Sequence, residues 1–180
     1  MNTLSRITQW IDTLNDTVGK VASWIAVAMV LTQFAVVVLR YTFGFSFIWM
    51  QESVVYLHAT LFMLGAGYTL LHNGHVRVDI FYRTATPRSK AIVDLAGALM
   101  FLLPICGLIL WASVPYVFRS WGMHEGSQET SGLQIVYLLK SLILAFAVLM
   151  ALQGVAMALR SVLTLRGFDA PQPKADEVEI

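Results

Sequence analysis

Charge is what this 180-residue chain has least of: charged side chains make up 13% of it and hydrophobic ones 57%, against about 25% and about 45–50% in a soluble domain. That ratio excludes a soluble globular body. Cysteine is nearly missing as well, and the lone Cys106 excludes both an intrachain disulfide and a cysteine metal site. The first 18 residues lack the unbroken apolar core of a signal peptide, because Arg6, Asp12 and Asp16 interrupt it. A net charge of +1 says little about partners, although the placement of the charges says more.

What is present is apolar length. Val21 to Leu39, Ile48 to Leu71, Ala91 to Phe118 and Ile135 to Leu159 are almost free of charge. About 20 apolar residues at 1.5 Å each cross a hydrocarbon core of about 30 Å, so each run predicts a transmembrane helix. The expected fold is therefore an all-α membrane protein with four spans in one domain, residues 1–169. The acidic, Pro-containing stretch 170–180 reads as a disordered tail.

Before the first span, Leu4, Ile7, Ile11, Leu14 and Val18 recur at helical steps, with Asp12, Asp16 and Lys20 between them. This predicts an amphipathic helix in the membrane interface that turns into the first span near Gly19. Trp10 and Trp49 are the expected interfacial anchors. Pro104 and Pro115 predict a kinked third span. Nine basic residues flank one set of span ends (Arg6, Lys20, Arg77, Arg83, Arg88, Lys90, Arg160, Arg166, Lys174) and three flank the other (Arg40, Arg119, Lys140). The excess places both termini and the 72–90 connector in the cytoplasm.

Catalytic and cofactor patterns are lacking. His58 and His72 share a face of the second span, but the other spans carry no histidine to complete a bis-histidine haem. No histidine pair has zinc-ligand spacing, and neither Gly-x-Ser-x-Gly nor His-Glu-x-x-His occurs. An enzyme is not expected, nor a bound cofactor. The deep polar residues Gln33, His58, Thr60 and Gln153 include no carboxylate, which argues against a complete ion-coupled transporter.

Ionisable residues inside spans cost roughly 2.5–3.5 kcal/mol at the centre, so each asks for a partner or a purpose. Glu52 and Lys140 both lie about one turn inside the outer ends of their spans. They either pair across the second and fourth helices or snorkel separately to the headgroups. Seven-residue steps place Ala59 and Ala66 below Glu52, and Ala147, Ala151, Gly154 and Ala158 below Lys140. Such small residues predict close antiparallel packing of the two spans. Asp94, at the inner end of the third span, has Arg77, Arg83 or Arg160 within reach. After the second span, Gly74 is expected to permit a bend, with His75, Arg77 and Asp79 forming a cytoplasmic turn. The stretch His75 to Tyr82 is expected to lie flat on the membrane or a partner, or is simply a loop.

Three groups of residues carry a family resemblance. They are Trp49-x-x-Glu52 with Gly65-Ala66-Gly67-Tyr68, then Gly74-His75-Val76-Arg77-Val78-Asp79, then Gln128 to Leu133 followed by Tyr137, Lys140 and Gln153-Gly154. In order and spacing, over roughly Leu14 to Arg160, they resemble the small membrane subunit of tripartite ATP-independent periplasmic (TRAP) transporters, the DctQ-like family. The resemblance implies that a soluble periplasmic substrate-binding protein captures an organic acid. A large multi-span membrane subunit, on a separate chain, then moves it with sodium, and the four-span subunit braces that large one. It also implies an assembly role for His75, Arg77 and Asp79, and a place in a bacterial inner membrane. The expected partners are those two proteins and membrane lipid, with no nucleic acid. The rival readings are a haem or quinone membrane anchor of an electron-transfer complex, and a stand-alone small transporter.

Overall fold

The computed structural model describes residues 3–75 and 85–167. They form four helices long and apolar enough to cross a membrane. Helix α1 runs Thr3–Phe43 and α2 runs Ile48–Leu71. Helix α3 covers Pro87–Gly122 and α4 covers Val136–Leu165. The expected all-α, four-span architecture is thus present.

One helix is the core. Of the most apolar stretch of α4, 39% is buried, against 6% to 11% in the other three. Helices α1 and α2 pack on each other and on α4, and α3 packs on α4. The result is a hub with three satellites, in which α1 and α3 leave broad apolar faces outward. In water such faces would drive aggregation. In lipid they are the natural exterior, because acyl chains are as apolar as the side chains they meet.

Helix α1 departs from expectation. It is continuous for 41 residues, about 60 Å at 1.5 Å each, with no turn at Gly19. Gly19 instead allows a close approach, since a Cβ there would overlap the ring of Tyr68 on α2. The amphipathic pattern is real, but its buried face is rotated, so that Ile11 stays inside beside polar neighbours. Thr8, Ile11, Asn15 and Ala22 are buried while Ile7 and Trp10 are exposed. A helix whose neighbours offer hydrogen bonds turns its polar stripe inward, because in lipid an unsatisfied polar group is the costly one.

The ends of the other helices follow local chemistry. Phe47, in extended conformation, precedes α2. At its far end the residue with positive φ is Asn73, at 55°, and not Gly74. Asparagine tolerates the left-handed region, and Gly74 closes the turn by donating its N–H to Thr69 O at 2.8 Å. Pro87 begins α3 at a position where the missing N–H is harmless, and Thr86 caps it by accepting from Ser89 N. The third span is therefore longer than the sequence suggested. Pro104 clashes with the preceding turn and has no N–H to give. Its effect is a π-helical turn, Ala98–Leu102, in which Leu103 N donates to Ala98 O five residues back. Pro115 lies inside the last stretch without breaking it.

Candidate functional site

Two polar clusters lie at opposite ends of the hub helix. At the end where α1 begins, α4 offers Gln153 and Arg160, two turns apart and on one face. Arg160 donates to Asp12 Oδ1 of α1 at 2.6 Å, and Gln153 Nε2 reaches the same oxygen at 3.2 Å. Gln153 Oε1 in turn accepts from Asn15 Nδ2 at 2.8 Å. Asn15 and Gln153 are each 1% exposed, so their half of the relay is sealed, while Asp12 and Arg160 keep partial exposure. Helix α2 closes it from the third side, where a Cβ on Gly67 would overlap Asn15 Oδ1 and meet Leu149 Cβ of α4 at 3.4 Å.

One turn further along α1, Asp16 pairs with Lys20 at 2.6 Å and with His72 Nε2 at 3.3 Å. The His72 ring lies against Tyr68, with centroids 4.3 Å apart. His72 is therefore engaged with α1. His58 is exposed on α2, its ring 6.4 Å from Phe62. Among the described residues no group of three or more His, Cys, Asp or Glu side chains could hold a metal ion.

At the opposite end Glu52 and Lys140 have partners other than each other. Glu52 accepts from Ser127 Oγ at 2.5 Å and from Leu133 N at 2.6 Å. Lys140 donates to Glu125 at 2.5 Å and lies 4.1 Å above the centre of the Tyr116 ring. The connector between α3 and α4 supplies Glu125, Ser127 and Leu133, and so stands where a direct pair would have formed. The Lys140 ammonium beside Glu125 holds that carboxyl below the usual carboxylate range.

The small-residue faces are also divided differently. Ala147, Gly154 and Ala158 are buried, whereas Ala59, Ala66 and Ala151 are half-buried. Helices α2 and α4 do pack together, but the close approach on α2 is at Gly67. Gly154 faces α3, where its would-be Cβ lies 2.8 Å from Leu102 and 3.4 Å from Leu103. Trp10 and Trp49 are exposed, as are Gly74 and His75. Arg77 and Asp79 lie outside the described residues, as do residues 76–82 of the His75–Tyr82 stretch and the 170–180 tail. Sequence reasoning missed Asp12, Asn15 and Arg160 as a unit. The available signal was the row of polar residues on α1, which the membrane-interface reading left without partners on another helix.

The fold and its two clusters define a polytopic α-helical membrane protein whose polar chemistry joins its own helices. The family model of the DctQ component of tripartite ATP-independent periplasmic transporters matches residues 29–164. The chain belongs to that family, a transporter component. It is also similar to the C4-dicarboxylate TRAP transporter small permease protein DctQ of Vibrio cholerae serotype O1 (strain ATCC 39315 / El Tor Inaba N16961), at 29% identity over 100 residues. That match covers 54% of this chain and 42% of the relative, less than half of the relative's length. No solved structure matches.

Proposed function

We propose that this chain is the small scaffold subunit of a sodium-coupled TRAP transporter that imports organic acids. In this reading it sits in a bacterial inner membrane with both termini cytoplasmic. It braces a large multi-span subunit, and a periplasmic binding protein delivers the substrate. The observation that carries the reading is the family match over residues 29–164. The geometry adds support, because the polar side chains of both clusters are occupied in holding helices and a connector in place. Along the spans α1 and α3 leave apolar surface for a partner, including Trp24, Leu31 and Phe34 on α1 and Met100, Leu108 and Trp111 on α3. A rigid body with an apolar exterior suits a fixed frame against which another subunit moves.

The test is affinity purification of the full chain from its host membrane, followed by reconstitution. A much larger multi-span subunit is expected to co-purify, and the two together with the binding protein should take up organic acids down a sodium gradient. Sodium-driven uptake by this chain alone, or a stoichiometric haem Soret band, overturns the proposal.

A further inference from the structure

The sides of the bundle differ in what they present to the middle of the membrane. On α3 the run Gly97 to Val117 contains no amide, carboxylate or imidazole side chain. On the side formed by α1 and α2, by contrast, His58 stands near the middle of the 24-residue α2, and Gln33 stands in the apolar half of α1. Both are exposed. Other polar side chains of these two helices turn back on their own backbone, as Thr32, Thr60 and Thr69 do by donating to the carbonyl four residues before. Among the described residues, neither His58 nor Gln33 has a hydrogen-bond partner.

The two side chains share one face. The antiparallel register is fixed where Gly19 of α1 meets Tyr68 of α2, so Gln33, fourteen residues on, is level with Val54. That sets it about 6 Å from the level of His58 along the helix axes, at 1.5 Å per residue. Seven-residue steps keep one helix face, and they join Gln33 to Ala26 and Gly19 on α1, and His58 to Gly65 on α2. Gly19 and Gly65 line an open groove with Ala22 and Ser23 of α1 and Phe62 and Ala66 of α2, and no residue of α3 or α4 borders it. The polar pair thus continues a groove of small side chains. Small residues admit a second helix closely in lipid, and polar groups at depth are met across such a contact by hydrogen bonds.

We infer that the α1/α2 face marked by Gln33 and His58 receives a transmembrane helix of the large subunit. The inference rests on the scaffold reading above, which supplies a partner with many membrane helices, and it deepens that reading by choosing among the outward surfaces. Lipid is a poor occupant, because acyl chains offer nothing to an imidazole or an amide, and neither side chain is long enough to reach the headgroups from mid-depth. The chemistry of the occupant follows from the face. It brings a large apolar side chain into the groove at Gly19 and Gly65. Level with His58 it brings a hydroxyl, an amide or an unpaired backbone carbonyl. A polar contact of this kind fixes the register of a helix that apolar packing alone would let slide, and a frame must hold its register.

The test co-expresses the full chain with the tagged large subunit of the same transport system, measures how much of the chain the tag captures, and melts the chain purified by itself in parallel. Gly65 and Gly107 make a matched pair, since neither has an atom within 4 Å of its would-be Cβ. They also lie at similar depth. Leu149 of α4 is level with Gly67, and five residues on Gly154 meets Leu102 and Leu103 of the antiparallel α3, which sets Gly107 level with Leu149. Gly65→Phe is expected to cut capture about tenfold while leaving the melting midpoint of the chain unchanged, whereas Gly107→Phe keeps both. His58→Leu with Gln33→Leu removes the hydrogen bonds and keeps the apolar contact, and should cut capture roughly threefold to tenfold. Unchanged capture in Gly65→Phe or in the double leucine variant overturns the inference and spares the scaffold reading, as does a greater loss in Gly107→Phe. Self-association lost in Gly65→Phe with capture intact assigns the face to a second copy of this chain and overturns the inference too. A wild-type chain that captures no multi-span subunit overturns the scaffold reading and the inference with it.

Discussion

The two ends of α4 are secured by opposite means. At one end Asp12, Asn15, Gln153 and Arg160 join helix to helix through side chains that are buried or nearly so. At the other, Glu52 and Lys140 reach past each other to a loop, and their partners keep partial access to water. The difference teaches where each cluster matters. Interhelical hydrogen bonds sealed from water decide how the helices cross, since a lost partner there leaves an unmet charge or amide. Bonds to a connector at the membrane edge shape a surface and contribute less to holding the bundle.

The sharpest way to break that contrast is to remove Arg160. Arg160→Met should destabilise the protein in detergent by about 2–3 kcal/mol, below the ~3–5 kcal/mol of a fully buried pair, because Arg160 and Asp12 keep 15% and 20% of their side-chain exposure. Adding Asp12→Leu should recover much of the loss, since no charge is then stranded. Denaturant titration followed by tryptophan fluorescence checks both, and a double variant no better than the single contradicts the pairing. Next comes Gly67→Ala, expected to cost about 1–3 kcal/mol by overpacking against Asn15. Gly65→Ala, two residues away with open space at its Cβ position, should leave the midpoint unchanged or slightly raised.

The smallest effect belongs to the outer end and is a matter of pH. Glu125 titrates below its ordinary value of 4.5 because Lys140 stabilises the carboxylate. A carboxyl lowered on folding contributes stability that is complete above the unfolded value and disappears as pH falls through the folded one. Lys140→Gln should therefore lower stability slightly at neutral pH, where that contribution is complete, and flatten the acid limb, so that variant and wild type converge below the folded value. A large loss at neutral pH in that variant would put the outer cluster on a par with the inner one.

Much of this was legible in advance where a property depends on neighbours along the chain. Ile48 to Leu71 was read as a span and is α2 residue for residue. Glu52, Lys140 and Gln153 stood out because polar groups in an apolar run require partners. Their actual partners did not stand out, because Glu52 and Leu133 are 81 residues apart and Asn15 and Gln153 are 138 apart. The rotation of α1 that buries Thr8 and Asn15 was not legible for the same cause. Amphipathicity tells which residues share a side, not which side meets protein.

By itself, then, the sequence determined that four helices cross a membrane, since hydropathy over about 20 residues is a local quantity set against the thickness of a bilayer. Only the tertiary structure decided that α4 is the hub, that α1 runs unbroken past Gly19, and that the polar residues bind helix to helix at one end and helix to loop at the other. Those outcomes depend on which surfaces approach closely enough for a glycine to matter and an amide to be met. Such distances are set by all four helices together.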